Sequence, residues 1–174
     1  MKANITLKAL IILAVLFLNS LAVAQAGSFK ADPGLQLYSL RDDFKRDVPG
    51  TLKRVQGLGI RLVELAGTYE LPPAKFKEML TAHGLQPVSS HFAYERFRDD
   101  PEGVAREAKA LGVQYAGCAW ITHTDTFDEK ECRGAIEVFN RAGAVLAKNG
   151  LKFFYHTHGY EFQPHGQGTL YLTC

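Results

Sequence analysis

The chain has 174 residues, 47% of them hydrophobic and 22% charged, with 20 Lys and Arg against 18 Asp and Glu. That balance excludes a disordered, collagen-like or low-complexity protein, and the length suits one domain with a real core. Two of the lysines, Lys2 and Lys8, fall in a leader-like segment. The remainder is therefore formally neutral, which argues against a surface for nucleic acid or anionic membranes.

Residues 1–26 read as a secretory signal peptide. Lys2 and Lys8 give a basic start, Ala9–Leu18 is an unbroken apolar run, and Ala24-Gln25-Ala26 is a small-x-small cleavage site. The run is short for a membrane span and Asn19-Ser20 interrupt its end. Export to a periplasm or the medium, with no membrane attachment after cleavage, is the expectation. Residues 27–174 then form the folded part. The cysteines, Cys118, Cys132 and Cys174, are odd in number and contain no C-x-x-C pair, so no zinc ribbon or redox motif is expected.

From Gly34 onward one unit recurs: a helix ends at a glycine and a short apolar strand begins within two residues. Gly59, Gly84, Gly112 and Gly150 each occupy that place, where glycine takes the left-handed conformation at no steric cost. The expected strands are Leu35–Leu40, Leu62–Ala66, Pro87–Phe92, Tyr115–Trp120 and Lys152–His158. The expected helices are Val48–Leu58, Pro72–Ala82, Pro101–Leu111 and Asp128–Lys148. Five strands alternating with four helices predict an α/β protein with a parallel sheet. A five-stranded doubly wound sheet and part of a (β/α)₈ barrel both fit this order, although neither G-x-G-x-x-G nor a P-loop is present to support the former.

The polar residues cluster where strands end, which is where a barrel keeps its chemistry. Tyr38 and Arg41 follow the first strand, Glu64 interrupts the apolar second, and His91 closes the third. Trp120 and His123 follow the fourth. A carboxylate in an apolar strand needs a partner, so Glu64 is either a functional group or a structural ion-pair partner of Arg41 or Arg61. Trp120 is either core or a flat apolar face for a sugar ring. His156, His158 and Glu161 lie within six residues at the end of the fifth strand. The two histidines share a face, and Gly159 lets Glu161 fold back towards it. These are donor types a divalent metal accepts, although His-x-His on a strand also occurs as two hydrogen-bonded histidines.

The runs LQLYSLRDDFKRDVPGTLKRV, VELAGTY, VSSHF, REAKALGVQYAGCAW and FFYHTHGYEFQPHGQGTLY resemble the sugar phosphate isomerase/epimerase family, the xylose-isomerase-like TIM barrels. The resemblance covers nearly all of residues 34–171. It implies a (β/α)₈ barrel with a divalent metal (manganese, magnesium or zinc) and a small sugar or sugar phosphate as partner. Proton transfer between adjacent carbons is the implied reaction. Glu64 and His91 are then the expected catalytic pair; Tyr38, Arg41, Trp120 and His123 contact substrate; His156, His158 and Glu161 supply metal ligands. The family's further strands usually bring an Asp, a His and a Glu to the metal. The sequence is accordingly expected to be the N-terminal part of such a barrel, weakly active alone and prone to self-association through open sheet edges. A non-catalytic half-barrel that binds sugar or an assembly partner is the alternative.

Overall fold

The computed structural model describes residues 32–124 and 126–173. The expected leader, its expected cleavage site and Cys174 lie outside the described residues. Five strands, β1 (Gly34–Gln36), β2 (Leu62–Leu65), β3 (Gln86–His91), β4 (Tyr115–Cys118) and β5 (Lys152–Tyr155), form one sheet in sequence order, and every neighbouring pair is parallel. The connecting helices α1 (Arg41–Arg46), α2 (Val48–Gly57), α3 (Pro73–Ala82), α4 (Tyr94–Asp99), α5 (Pro101–Leu111) and α6 (Glu129–Lys148) follow the strands. A two-strand hairpin, β6 (Pro164–His165) with β7 (Gly168–Thr169), leads into α7 (Leu170–Thr173). Except for Asp32, these residues belong to one compact unit, Pro33–Cys174. Among the described residues no helix is long and apolar enough to cross a membrane.

Side-chain chemistry sets the helix starts. The Asp47 carboxylate accepts from the Gly50 N–H at 3.0 Å at the head of α2, and Asp100 does the same for Gly103 at 2.8 Å before α5. Asp128 and Glu131 form a reciprocal capping box on α6, which satisfies two N–H groups that the first turn leaves open. Gly112 ends α5 at φ +78°, a conformation that disfavours any side chain.

Alternation divides each strand between two faces. Val63, Leu65, Ala116, Phe153 and Tyr155 belong to the core that the helices close, where Phe44, Phe76 and Phe97 are fully buried. Phe97 meets Phe153 and Phe139 edge-on at 5.3 and 6.5 Å. Gln36, Glu64, Ser89, His91, Phe154 and His156 meet one another on the opposite face. On that face Gly117 gives its room to the Phe154 ring: a Cβ there would sit 2.2 Å from it. β3 carries one extra residue against β2. Val63 pairs with Pro87 and Glu64 with Ser89, so Val88 is passed over, a β-bulge in effect.

Two expectations need correction. The first strand stops at Gln36, because Leu37–Leu40 winds into a single 3-10 turn that buries Leu37 completely. The run LQLYSL is as apolar as a strand, but a lone core anchor suffices for a turn. The expected four helices are also too few. α1, α4 and the four-residue α7 are added; α1 and α4 are each six residues long with one buried phenylalanine, Phe44 and Phe97. One apolar anchor per segment leaves no periodicity to read. Asp100, held out of the helical conformation before Pro101, separates α4 from α5.

Candidate metal and sugar site

The C-terminal ends of β1, β2 and β3 and the residue just past β5 come together in one place. Glu64 is the organising group. Its Oε1 accepts from Gln36 Nε2 at 2.7 Å and its Oε2 from the Ser89 hydroxyl at 2.6 Å. His91 Nε2 lies 3.2 Å from Oε1. The nearby His91 imidazole, followed by the Ser89 and Gln36 donors, outweighs the cost of burial and holds the Glu64 carboxyl down at about 2. It is therefore an anion at any physiological pH.

His156 joins from β5. Its ring centroid is 5.4 Å from that of His91, and its Nδ1 lies 3.5 Å from Gln36 Nε2. Burial and the neighbouring His91 and His158 hold its pKa below the ordinary imidazole range, which keeps a lone pair available. One donor atom each from Glu64, His91 and His156 lies within 4.8 Å of the other two. The buried His91 Nε2 has no aligned hydrogen bond despite its closeness to Glu64. A cation accepting from Glu64, His91 and His156 would satisfy it. Two imidazoles and a carboxylate suit manganese or zinc, and less strongly magnesium. The residues present thus fit a divalent metal.

A cavity of about 240 Å³ opens over these groups, lined by Gln36, Tyr38, His91, Ala119, Trp120, His156 and His158. Its far wall is aromatic. Trp120, half exposed, stacks on His123 at 4.9 Å and 24°, and stands edge-on to His158 at 5.4 Å. Arg41 does not line the cavity. Its guanidinium covers the Tyr38 ring at 4.6 Å and donates to the Tyr38 carbonyl, so it holds an exposed ring that does line it.

Of the residues expected to ligate metal, His156 and His158 share the cavity, but only His156 belongs to the trio. Glu161 lies elsewhere. It is buried, and its carboxylate accepts from the Tyr155 hydroxyl and from the His158 N–H at 3.1 and 3.0 Å. Tyr155 faces α6, with its ring 5.3 Å from Phe139, so Glu161 sits behind β5 and away from Glu64. Gly159 does let the chain turn back, but the turn leads to the helix side. Gln36 and Ser89 were given no site role from the sequence, although Ser89 belongs to the polar end of the third strand. Their signal was positional, because Gln36 pairs with Glu64 across β1–β2 and Ser89 pairs with Glu64 across β2–β3.

No family model matches the chain, and no curated protein matches it. Solved structures do. A sugar phosphate isomerase/epimerase from Parabacteroides distasonis superposes with a TM-score of 0.65 at 24% identity, over 85% of this chain and 65% of its own. An AP endonuclease, family 2, from Brucella melitensis gives 0.55 at 20% identity, over 71% and 54%. A xylose isomerase-like TIM barrel protein from Mycobacterium smegmatis, in complex with magnesium, gives 0.50 at 16% identity, over 62% and 45%. At these identities the likeness establishes the fold. The described strands and helices are consecutive βα units with the fold of part of a TIM barrel. The chain spans at most about two-thirds of the length of these proteins.

Proposed function

We propose that this chain acts on a small sugar or sugar phosphate as a metal-dependent isomerase or epimerase. The observation that carries the reading is the Glu64, His91 and His156 trio, with its unsatisfied His91 Nε2, beneath an aromatic wall. The Parabacteroides and Mycobacterium proteins, named for sugar isomerisation and bound to magnesium respectively, support it by fold. Glu64, His91 and His156 hold the cation, and Gln36 and Ser89 orient Glu64. When bound, the cation supplies Lewis acidity to a substrate oxygen. Trp120 and Tyr38 offer ring faces to the sugar. His158 lines the same cavity beside His156 and is placed to move a proton at an imidazole nitrogen. The formal neutrality of residues 27–174 favours a small ligand over nucleic acid.

The test is titration of the purified chain with manganese, followed by deuterium exchange at the carbon beside the carbonyl for a panel of aldoses, ketoses and their phosphates in heavy water. Metal-dependent exchange that His91→Ala abolishes is the expected result. Metal binding without exchange for any sugar would favour a second reading, a sugar-binding or assembly half-barrel. That reading has its own observation: among the described residues β1 and β5 have a strand neighbour on one side only, and such edges invite pairing. Sedimentation of the chain over a range of concentrations reports it. We also propose that the protein is exported with cleavage after Ala26; a secreted product whose intact mass still includes Met1 would refute that.

A further inference from the structure

Glu161 is a buried carboxylate with no place in the trio, and it ends a directed chain of hydrogen bonds. The Tyr155 hydroxyl donates to it. Tyr155 O lies 2.8 Å from Tyr160 O. Because the Tyr155 proton points at Glu161, the Tyr160 hydroxyl donates to Tyr155. Tyr160 O in turn accepts from the Ile121 backbone N–H at 3.0 Å. A carboxylate only accepts, so Glu161 fixes the direction of every bond in the series. Burial, together with the bond to Glu161, pushes the Tyr155 hydroxyl far above its ordinary range, so the donor is not lost to ionisation.

The chain joins two loops that meet in the cavity wall. At one end both Glu161 oxygens take the N–H of His158. At the other, Ile121 directly follows Trp120. The Tyr160 ring between them lies 4.9 Å from Trp120, 4.6 Å from His123 and 6.0 Å from His158, the last nearly parallel at 8°. We infer that Glu161 is a positioning residue, which acts through Tyr155 and Tyr160 to set Trp120 and His158 as the sugar-facing wall while leaving the metal trio untouched. The inference rests on the proposed sugar role of that wall, but its geometric part can be tested without sugar.

Trp120 is the chain's single tryptophan, so its fluorescence reports on the wall alone. Glu161→Gln puts an amide NH₂ where one acceptor stood. Tyr155→Phe deletes one hydroxyl and keeps the ring, and it serves if the first variant fails to fold. Val138→Ala, in α6 and outside the hydrogen-bond series, is the control for general destabilisation. In both test variants acrylamide should quench Trp120 roughly twofold more steeply than in the wild type, because a cooperative network has lost its terminus. Val138→Ala should leave quenching unchanged, and manganese affinity should stay within about twofold in all three, since no trio residue is altered. Quenching like that of the control, or a loss of manganese affinity parallel to the quenching, would overturn the inference. D-xylose and fructose 6-phosphate serve as sugar probes. If neither protects wild-type Trp120 although the quenching differences hold, the sugar reading of the wall fails and the positioning role stands.

Discussion

The two sides of the sheet hold two carboxylates in opposite circumstances, Glu64 in β2 and Glu161 in the turn after β5. On the inner face Glu64 is bound to Gln36 and Ser89, yet its neighbour His91 has a buried nitrogen without an aligned partner. Behind the strand Glu161 is nearly inaccessible and is served by a phenol and a backbone N–H. In the sequence both are carboxylates beside apolar strand runs and both are candidate site residues. The difference teaches that a ligand site is marked by unmet hydrogen-bonding capacity, whereas a scaffold carboxylate is marked by complete satisfaction.

The comparison can be broken most severely by exchanging the two roles. Glu64→Ala should weaken manganese binding by at least ~100-fold, the upper end of what losing even an outer-shell partner costs. Glu161→Ala should leave it nearly unchanged, as isothermal titration would show. An equal loss in both would end the distinction.

Stability against denaturant should rank them the other way. Glu161→Ala strands the Tyr155 hydroxyl and the His158 N–H, at roughly 1–3 kcal/mol for each buried group left unpaired. Glu64→Ala also forfeits stability, but less, since the carboxylate is only part-buried and Gln36, which lines the cavity, can turn towards water there. Denaturant midpoints at constant m-value measure the pair.

A third change sharpens the inner face. Gly117→Ala places a Cβ against the Phe154 ring, an overpacking cost of about 1–3 kcal/mol. Phe154 lies 5.4 Å from His91, so manganese affinity should fall together with stability, in contrast to Val138→Ala.

The smallest effect is in acid. The partners of Glu64 hold its folded carboxyl down at about 2, below the ordinary 4.5 of a free glutamate. Its contribution to stability is thus complete above pH 4.5 and fades as the pH falls towards 2. Glu64→Gln should flatten that part of the stability curve and lower the neutral plateau without giving it a slope. An unchanged acid limb would show that the carboxylate is not held by its donors.

The repeat of helix, glycine and strand was legible because each unit states it locally. Gly112 is left-handed just past α5, and Leu111 and Val113 on either side of it are buried. His91, Glu64 and His156 were legible as strand-end polar residues. Which of them meet depends on register between strands far apart in sequence, and no local pattern encodes it. Glu161 shows the limit: a turn at Gly159 permits either side of the strand, and the choice fell to Tyr155 and Tyr160, whose hydroxyls needed an acceptor. α4 was hidden for a simpler reason, since six residues around Phe97 contain no second apolar turn.

The odd residue in β3 has a consequence for the gene. Val88 is passed over by β2, and its carbonyl accepts from the Gln114 N–H on the β4 side. An in-frame deletion of that single codon would preserve the alignment of Ser89 with Glu64 and forfeit one bond to β4. An insertion after Val63 would instead shift the mismatch to the β1 side and part Gln36 from Glu64. Lineages of this protein can therefore differ in length at position 88 and keep the same site, and an alignment that forbids gaps inside strands would set such relatives aside.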